Sequence, residues 1–227
     1  RDKLIRTPGE LVFLGTGAGM STDYDPSLDH ERIRRSFHRS LGSYHQAANV
    51  QAMIAEQLVA LLRKAGAPTH CPTALEFGCC TGFLTRALIR DFRFGQFYAN
   101  DLVSESETFI APLLDGVVPW RFLGGSIEKT ALPASLDLVA SSSTVQWVFD
   151  LAALLRRLET SLNAGGFLAM SGFGHGHFVE LQALGSTAMA KAYHNAADWP
   201  ALLPPNMDIV TLLQEEHVIH FDDLRHL

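Results

Sequence analysis

Residues 73–82 read Thr-Ala-Leu-Glu-Phe-Gly-Cys-Cys-Thr-Gly, a short apolar run that ends in an acid and turns through small residues into a stretch with helical spacing. A buried strand, a tight small-residue turn and a helix, in that order, make a cradle for a nucleotide-type cofactor. In an open parallel sheet, ligands sit beyond the carboxyl ends of the strands, and the first strand-to-helix turn must let them approach the backbone closely. Gly78 and Gly82 supply that room. The helix opening at Gly82 offers unpaired N–H groups and a positive dipole end, suited to a carboxylate.

Outward from the cradle, strand and helix patterns alternate. Strands are expected at 73–78, 96–100, 120–123, 136–141 and 166–171, with helices at 82–91, 104–114 and 150–162 between most of them. Alternation of this kind predicts a doubly wound α/β fold, a mostly parallel sheet wrapped by helices with right-handed crossovers. Upstream, 29–41 and 47–64 read as helices, the second with Val50, Ile54, Leu58 and Leu61 on one face and Gly66 and Pro68 as its stop. Downstream, a helix over about 177–196, a break at Pro204-Pro205, a helix near 206–215 and a short strand at His217–Phe221 are expected.

Composition sets the bounds. A chain of 227 residues, 47% hydrophobic, fits one globular domain or one domain with a small lid. A net charge of −6 gives no basic footprint for nucleic acid. No apolar run approaches the ~18 residues of a membrane span and no signal-peptide pattern stands at the N-terminus, so a cytosolic, membrane-free protein is expected. Oligomeric state is not legible. Cys71, Cys79 and Cys80 form an odd set with no zinc-type spacing, which points to reduced thiols and no metal.

Asp101 ends the second strand 19 residues beyond Gly82, where a carboxylate can accept hydrogen bonds from both hydroxyls of an adenosine ribose. That arrangement serves a dinucleotide as well as S-adenosylmethionine (SAM). Glu76, inside the cradle's own strand, would repel a pyrophosphate and attract an ammonium group, which favours SAM.

A longer set of segments carries a more specific resemblance. Phe37–Gln51 (F-H-R-S-L-G-S-Y-H-Q-A-A-N-V-Q), the cradle with its T-G-F-L-T-R continuation, S-S-S-T-V-Q-W-V at 141–148 and S-G-F-G-H-G-H-F-V-E-L at 171–181 stand in this order. Together they resemble the malonyl-acyl carrier protein O-methyltransferase (BioC) family of biotin synthesis, class I SAM-dependent methyltransferases, over about residues 31–227. The resemblance implies a Rossmann-like SAM-methyltransferase fold with an N-terminal helical lid over 20–66 and a methyltransferase domain over 67–227 carrying a helical insertion at about 177–215. It implies methyl transfer from SAM to the free carboxylate of a malonyl thioester on acyl carrier protein. A methyltransferase for another small carboxylic acid, or a degenerate fold that only binds a partner, are the alternatives.

The cofactor-binding candidates are Glu76, Gly78, Cys79, Cys80, Gly82, Asp101, Leu102, Ser126, Ile127 and Ser141; the substrate-binding candidates are Tyr44, Gln146, Trp147, His175 and His177. No catalytic acid or base is expected, because a carboxylate with an ordinary pKa near ~4 is already ionised. Two departures from the family pattern stand out. Cys80 occupies the middle glycine of the E-x-G-x-G-x-G loop, and Ser126 stands where the family places an acid against the adenine amino group. Arg34, Arg35 and Arg39 make a basic helical face that an acidic carrier protein would be steered by. Leu11–Gly19 is similar to a second strand and glycine turn, but Ser21–Ser27 contains Pro26 and no helix comes after it, so residues 1–19 read as a tag or extension ahead of Met20.

Overall fold

The computed structural model describes residues 4–6, 9–14, 30–47, 49–177 and 193–216. In chain order they form strands β1 (Leu4–Arg6) and β2 (Gly9–Leu14), helices α1 (His30–Ala47) and α2 (Asn49–Lys64), then β3 (His70–Phe77), α3 (Phe83–Asp91), β4 (Arg93–Asp101), α4 (Glu107–Leu114), β5 (Trp120–Gly124), β6 (Leu136–Ser141), α5 (Leu151–Ser161), β7 (Leu162–Ser171), the one-turn helix α6 (Trp199–Leu202) and β8 (Asp208–Leu213). Single 3₁₀ turns lie at Ser104–Ser106, Val145–Trp147 and Ala196–Asp198.

All strands share one sheet in the order β5-β4-β3-β6-β7-β2-β8-β1. The five strands from β5 to β7 are mutually parallel, and chain direction across the sheet reverses between β3 and β6. That reversal splays the loops after β3 and β6 apart and opens a crevice there. The expected doubly wound fold is the observed one.

Alternation along β3 divides the core. Ala74 faces α2, α3 and α4, in a layer with Leu58, Leu62, Leu88, Phe92, Phe97 and Ile110. Leu75 and Phe77 face α5, with Leu151, Leu154, Leu155, Leu158 and Trp199. Glu76 shares Ala74's side by the two-residue period of a strand.

Three expectations change. The buried stripe of α2 is Ala55, Leu58, Val59 and Leu62, each at most 1% exposed, at the i, i+3, i+4, i+7 spacing of a core helix. So α2 belongs to the core, and of the described residues in the stretch 20–66 it is those of α1 that lie over the site. Residues 208–213, read as part of a helix, are β8, because Ile209-Val210-Thr211 is β-branched and finds partners in β2 and β1. Leu4–Arg6 and Gly9–Leu14, read as part of an appendage, are sheet strands: β2 runs parallel to β7 and covers what would be its open edge. The helix expected over 177–196 falls mostly on 178–192, outside the described residues, and the strand at His217–Phe221 lies wholly outside them. Residues 193–195 are irregular and lead into two short helical turns.

Candidate functional site

The cradle is built by backbone strain and stitched to its neighbours. β3 ends at Gly78 (φ +70°), and the chain passes through Cys80 (φ +46°) and Gly82 (φ +85°) before α3 begins. Gly78 and Cys79 both donate their N–H to the carbonyl of Asn100, and Cys80 donates to Asp101 Oδ2 at 2.8 Å. Asn100 in turn donates its amide to the carbonyls of Leu123 and Gly125, so one residue, through its main chain on one side and its side chain on the other, ties the ends of β3, β4 and β5 together. Gly82 gives α3 no side-chain cap, and within the first turn Thr85 is turned to Glu76, donating both its hydroxyl, at 2.7 Å, and its backbone N–H to that carboxylate.

Asp101 is 8% exposed and holds both loops at once: Oδ2 accepts from Cys80 and Oδ1 from Val103 N, each at 2.8 Å. Burial raises its pKa, and those two backbone bonds oppose the rise. Each carboxylate oxygen has a second lone pair to offer, which is what two ribose hydroxyls need.

The opposite wall comes from the β6 loop. Ser141 Oγ donates to the Phe77 carbonyl at 2.8 Å, and the next residues are tied by their own hydroxyls, Thr144 to the Ser142 carbonyl and Ser171 to Ser142. This loop packs so closely on the cradle that a Cβ at Gly78 would lie 2.1 Å from Thr144 Oγ1. The third wall is the segment after β5. Arg157 of α5 donates to the carbonyls of Ile127, Glu128 and Thr130, and Glu128 Oε1 accepts from the N–H groups of Phe149 and Asp150.

α1 forms the roof. His30, at its first residue, places Nε2 3.0 Å from both Ser126 Oγ and Glu128 Oε2, and its ring meets Phe149 edge-on. One heptad along, Phe37 meets Trp147 edge-on at 5.4 Å. The cavity beneath α1 is lined by Phe77, Gly78, Cys80 and Asn100–Val103, by Ser126–Glu128 and Ser142–Thr144, by Trp147 and Val148, and by His30, Ile33 and Phe37 from above.

Of the cofactor candidates, Gly78, Cys80, Asp101, Leu102, Ser126 and Ile127 therefore line one cavity. Cys79 and Gly82 shape it from behind, Cys79 buried in the core and Gly82 backed by Leu113 and Ile110. Ser141 is a brace between β6 and β3. Glu76 does not line the cavity. It is 1% exposed, accepts from Thr85 Oγ1 at 2.7 Å, and burial pushes its pKa up to about 8, which leaves little negative charge at neutral pH to attract an ammonium group. Ser126, expected against the adenine, already shares its hydroxyl with His30.

The substrate candidates divide more sharply. Trp147 lines the cavity and is 37% exposed at its rim. Gln146 turns inward, donating to the Ser143 carbonyl at 2.8 Å, and does not reach the cavity. His175 and His177 lie past the end of β7, away from the cavity lining: His175 faces Asp198 at 3.4 Å, and His177 stacks on Phe173 at 4.1 Å. Burial lowers His177 to about 4, so it is a neutral ring at physiological pH. Tyr44 is on α1, and its side chain is outside the described part. The polar residues of chief consequence missed by sequence reasoning are Asn100, Thr144, Glu128 and His30, and Ile33, Phe37 and Val148 are apolar lining residues missed with them. Asn100 stands beside the ribose candidate and Glu128 two residues past Ser126, which was the available signal; His30 and Thr144 carried none.

Among the described residues no group of three or more histidines, cysteines or acids is placed to hold a metal ion, and no helix is long and apolar enough to cross a membrane. The three cysteines are free, and burial pushes the Cys80 thiol up to about 12. It is a neutral filler in the cavity wall. Holding a residue with a side chain at a left-handed angle costs ~1–2 kcal/mol, a penalty glycine avoids. Cys80→Gly is expected to raise stability by ~0.5–1 kcal/mol after glycine's larger unfolded-state entropy is deducted, and to tighten SAM several-fold by enlarging the cavity. Thermal melts and calorimetry with SAM check both; weaker binding would mean the thiol packs usefully against the cofactor.

A switch-point crevice with a glycine cradle too tight for a Cβ and a doubly anchored acid at the second strand fits SAM, and defines a class I SAM-dependent methyltransferase. The methyltransferase domain family matches residues 75–170. The chain is 32% identical to the malonyl-[acyl-carrier protein] O-methyltransferase of Chlorobium luteolum, over 88% of this chain and 78% of that one. It is also 32% identical to the same-named protein of Acinetobacter baylyi, over 88% and 76%. In fold it is similar to a putative SAM-dependent methyltransferase from Methanococcus maripaludis, with a TM-score of 0.51 and 18% identity, covering 88% of this chain and 100% of that one. The chain belongs to the malonyl-[acyl-carrier protein] O-methyltransferase family.

Proposed function

We propose that this enzyme methylates the free carboxylate of a malonyl thioester carried on acyl carrier protein, the step that opens pimelate and biotin synthesis, and that it works in the cytoplasm. The observation that carries this reading is the identity to malonyl-[acyl-carrier protein] O-methyltransferases across most of both chains. When bound, SAM supplies an electrophilic methyl group on a sulfonium. Asp101 would hold its ribose, and Leu102, Ile127 and Val148 would form the apolar walls around its base.

The residues around the cavity suit a reaction that moves no proton. A carboxylate with a pKa near ~4 arrives ionised, so the protein's task is to align it and to exclude water. Phe37 and Trp147 form an apolar rim where a desolvated carboxylate would face the methyl donor. A lid over 20–66 contracts in this reading to α1, which touches the cavity through His30, Ile33 and Phe37.

Mass spectrometry of malonyl carrier protein incubated with the enzyme and SAM tests the proposal. The expected result is one methyl increment, removable by ester hydrolysis. Methylation of a free dicarboxylate in preference to the thioester would replace the substrate, and SAM binding without methylation of any carboxylic acid would leave a binding protein.

A further inference from the structure

α1 carries two stripes on opposite sides. His30, Ile33 and Phe37, at i, i+3 and i+7, line the cavity. Arg35 and Arg39, one turn apart, fall on the far side of the helix by its 3.6-residue period, and the same period puts position 32, also arginine, beside them. The Arg35 side chain is 66% exposed, and among the described residues its polar contacts are the Glu31 carbonyl at 3.2 Å and a loose 3.8 Å approach to the Glu31 carboxylate. Arg39 is exposed and makes no ion pair among the described residues. Arg34, by contrast, is spent on Glu31 through two hydrogen bonds, and His38 sits 3.3 Å from Glu105.

This charge runs against the rest of the molecule. α1 holds four arginines and one acid in a chain whose net charge is −6. Basic stripes are often only solvated surface, but one that the described residues leave largely exposed, on the outer face of the element that roofs the cavity in an acidic protein, is a place where opposite charge would be steered to the mouth of the site. A thioester arm anchored there would have to pass one helix diameter, ~10 Å, to enter beside Trp147.

We propose that the Arg35–Arg39 face of α1 is the docking surface for the acidic carrier protein that presents the substrate, an inference resting on the reaction proposed above. Charged groups at such a rim set encounter rate and salt dependence, and leave the chemistry inside untouched.

The test compares wild type with Arg35→Glu/Arg39→Glu and Arg35→Gln/Arg39→Gln on malonyl carrier protein and on malonyl-CoA, across a salt series, with SAM affinity by calorimetry. For the charge reversal, kcat/KM on the carrier-bound substrate is expected to fall at least ~10-fold, chiefly through KM. The neutral pair should lose less and flatten the salt dependence. On malonyl-CoA both variants should stay within about twofold of wild type, with SAM affinity unchanged. Unchanged carrier kinetics would overturn the assignment, as would an equal loss on both thioesters. A wild-type enzyme inactive on both thioesters would sink the proposed reaction instead, and binding of unacylated carrier protein, reduced or not by the reversal, would then decide the surface by itself.

Discussion

Asp101→Ala is expected to abolish measurable SAM binding while leaving the sheet folded. Hydrogen bonds to a charged group contribute ~1.5–3 kcal/mol each, so losing two from a ribose corresponds to an affinity loss of at least ~100-fold. The substitution has a second effect. Cys80 N and Val103 N lose their acceptor, and each buried unpaired N–H costs ~1–3 kcal/mol, which loosens the cradle and the loop after β4 together. Calorimetry with SAM and circular dichroism separate the two contributions. Asp101→Asn, which keeps one oxygen for the backbone, is expected to fold better than the alanine variant and to bind SAM more tightly than it, though still more weakly than wild type. Undiminished affinity in Asp101→Ala would refute the ribose assignment.

Gly78→Ala should have the other large effect. Its Cβ would stand 2.1 Å from Thr144 Oγ1, 2.5 Å from Cγ2 and 2.8 Å from Thr144 Cβ, so no rotation of the threonine relieves the clash and a backbone must move. At φ +70° alanine also takes on the left-handed penalty of ~1–2 kcal/mol. Overpacking of this order adds ~1–3 kcal/mol, so a loss of ~2–5 kcal/mol in unfolding free energy is expected together with loss of SAM binding. Pairing it with Thr144→Gly removes the clash but not the backbone strain, and should recover part of the stability. If the double variant is no more stable than Gly78→Ala alone, the close approach of the two loops is not the cause.

Much of the fold was legible because it rests on local patterns. Each of the five parallel strands appears within a few residues of its expected place, since a buried parallel strand is a nearly continuous apolar run bounded by turn residues. The elements that were misread fail for nameable reasons. An apolar run such as Ile209–Leu213 does not say by itself whether it is helix or strand; a neighbouring strand edge decides. The face that α2 buries is rotated from the Val50, Ile54, Leu58, Leu61 reading: Ala55, Leu58, Val59 and Leu62 are buried, and Ile54 and Leu61 flank them partly buried, because the helix's apolar residues are wider than one stripe and the packing partners choose its centre.

The site divides in the same way. By itself the chain determined a strand–turn–helix cradle, an acid at the end of the next strand and a methyltransferase-like order of segments, because turn chemistry and spacing along the chain fix those. Only the tertiary structure decided which side chains meet. Strand alternation sends Glu76 into the core, where desolvation keeps it largely neutral, and leaves Asp101 at the carboxyl edge to anchor two loops. It put Thr144 against Gly78, placed His30 between Ser126 and Glu128 from 96 residues away, and left His175 and His177 beyond the end of β7. These contacts join segments far apart in sequence, and their geometry is set by where the sheet reverses, which no local pattern of residues records.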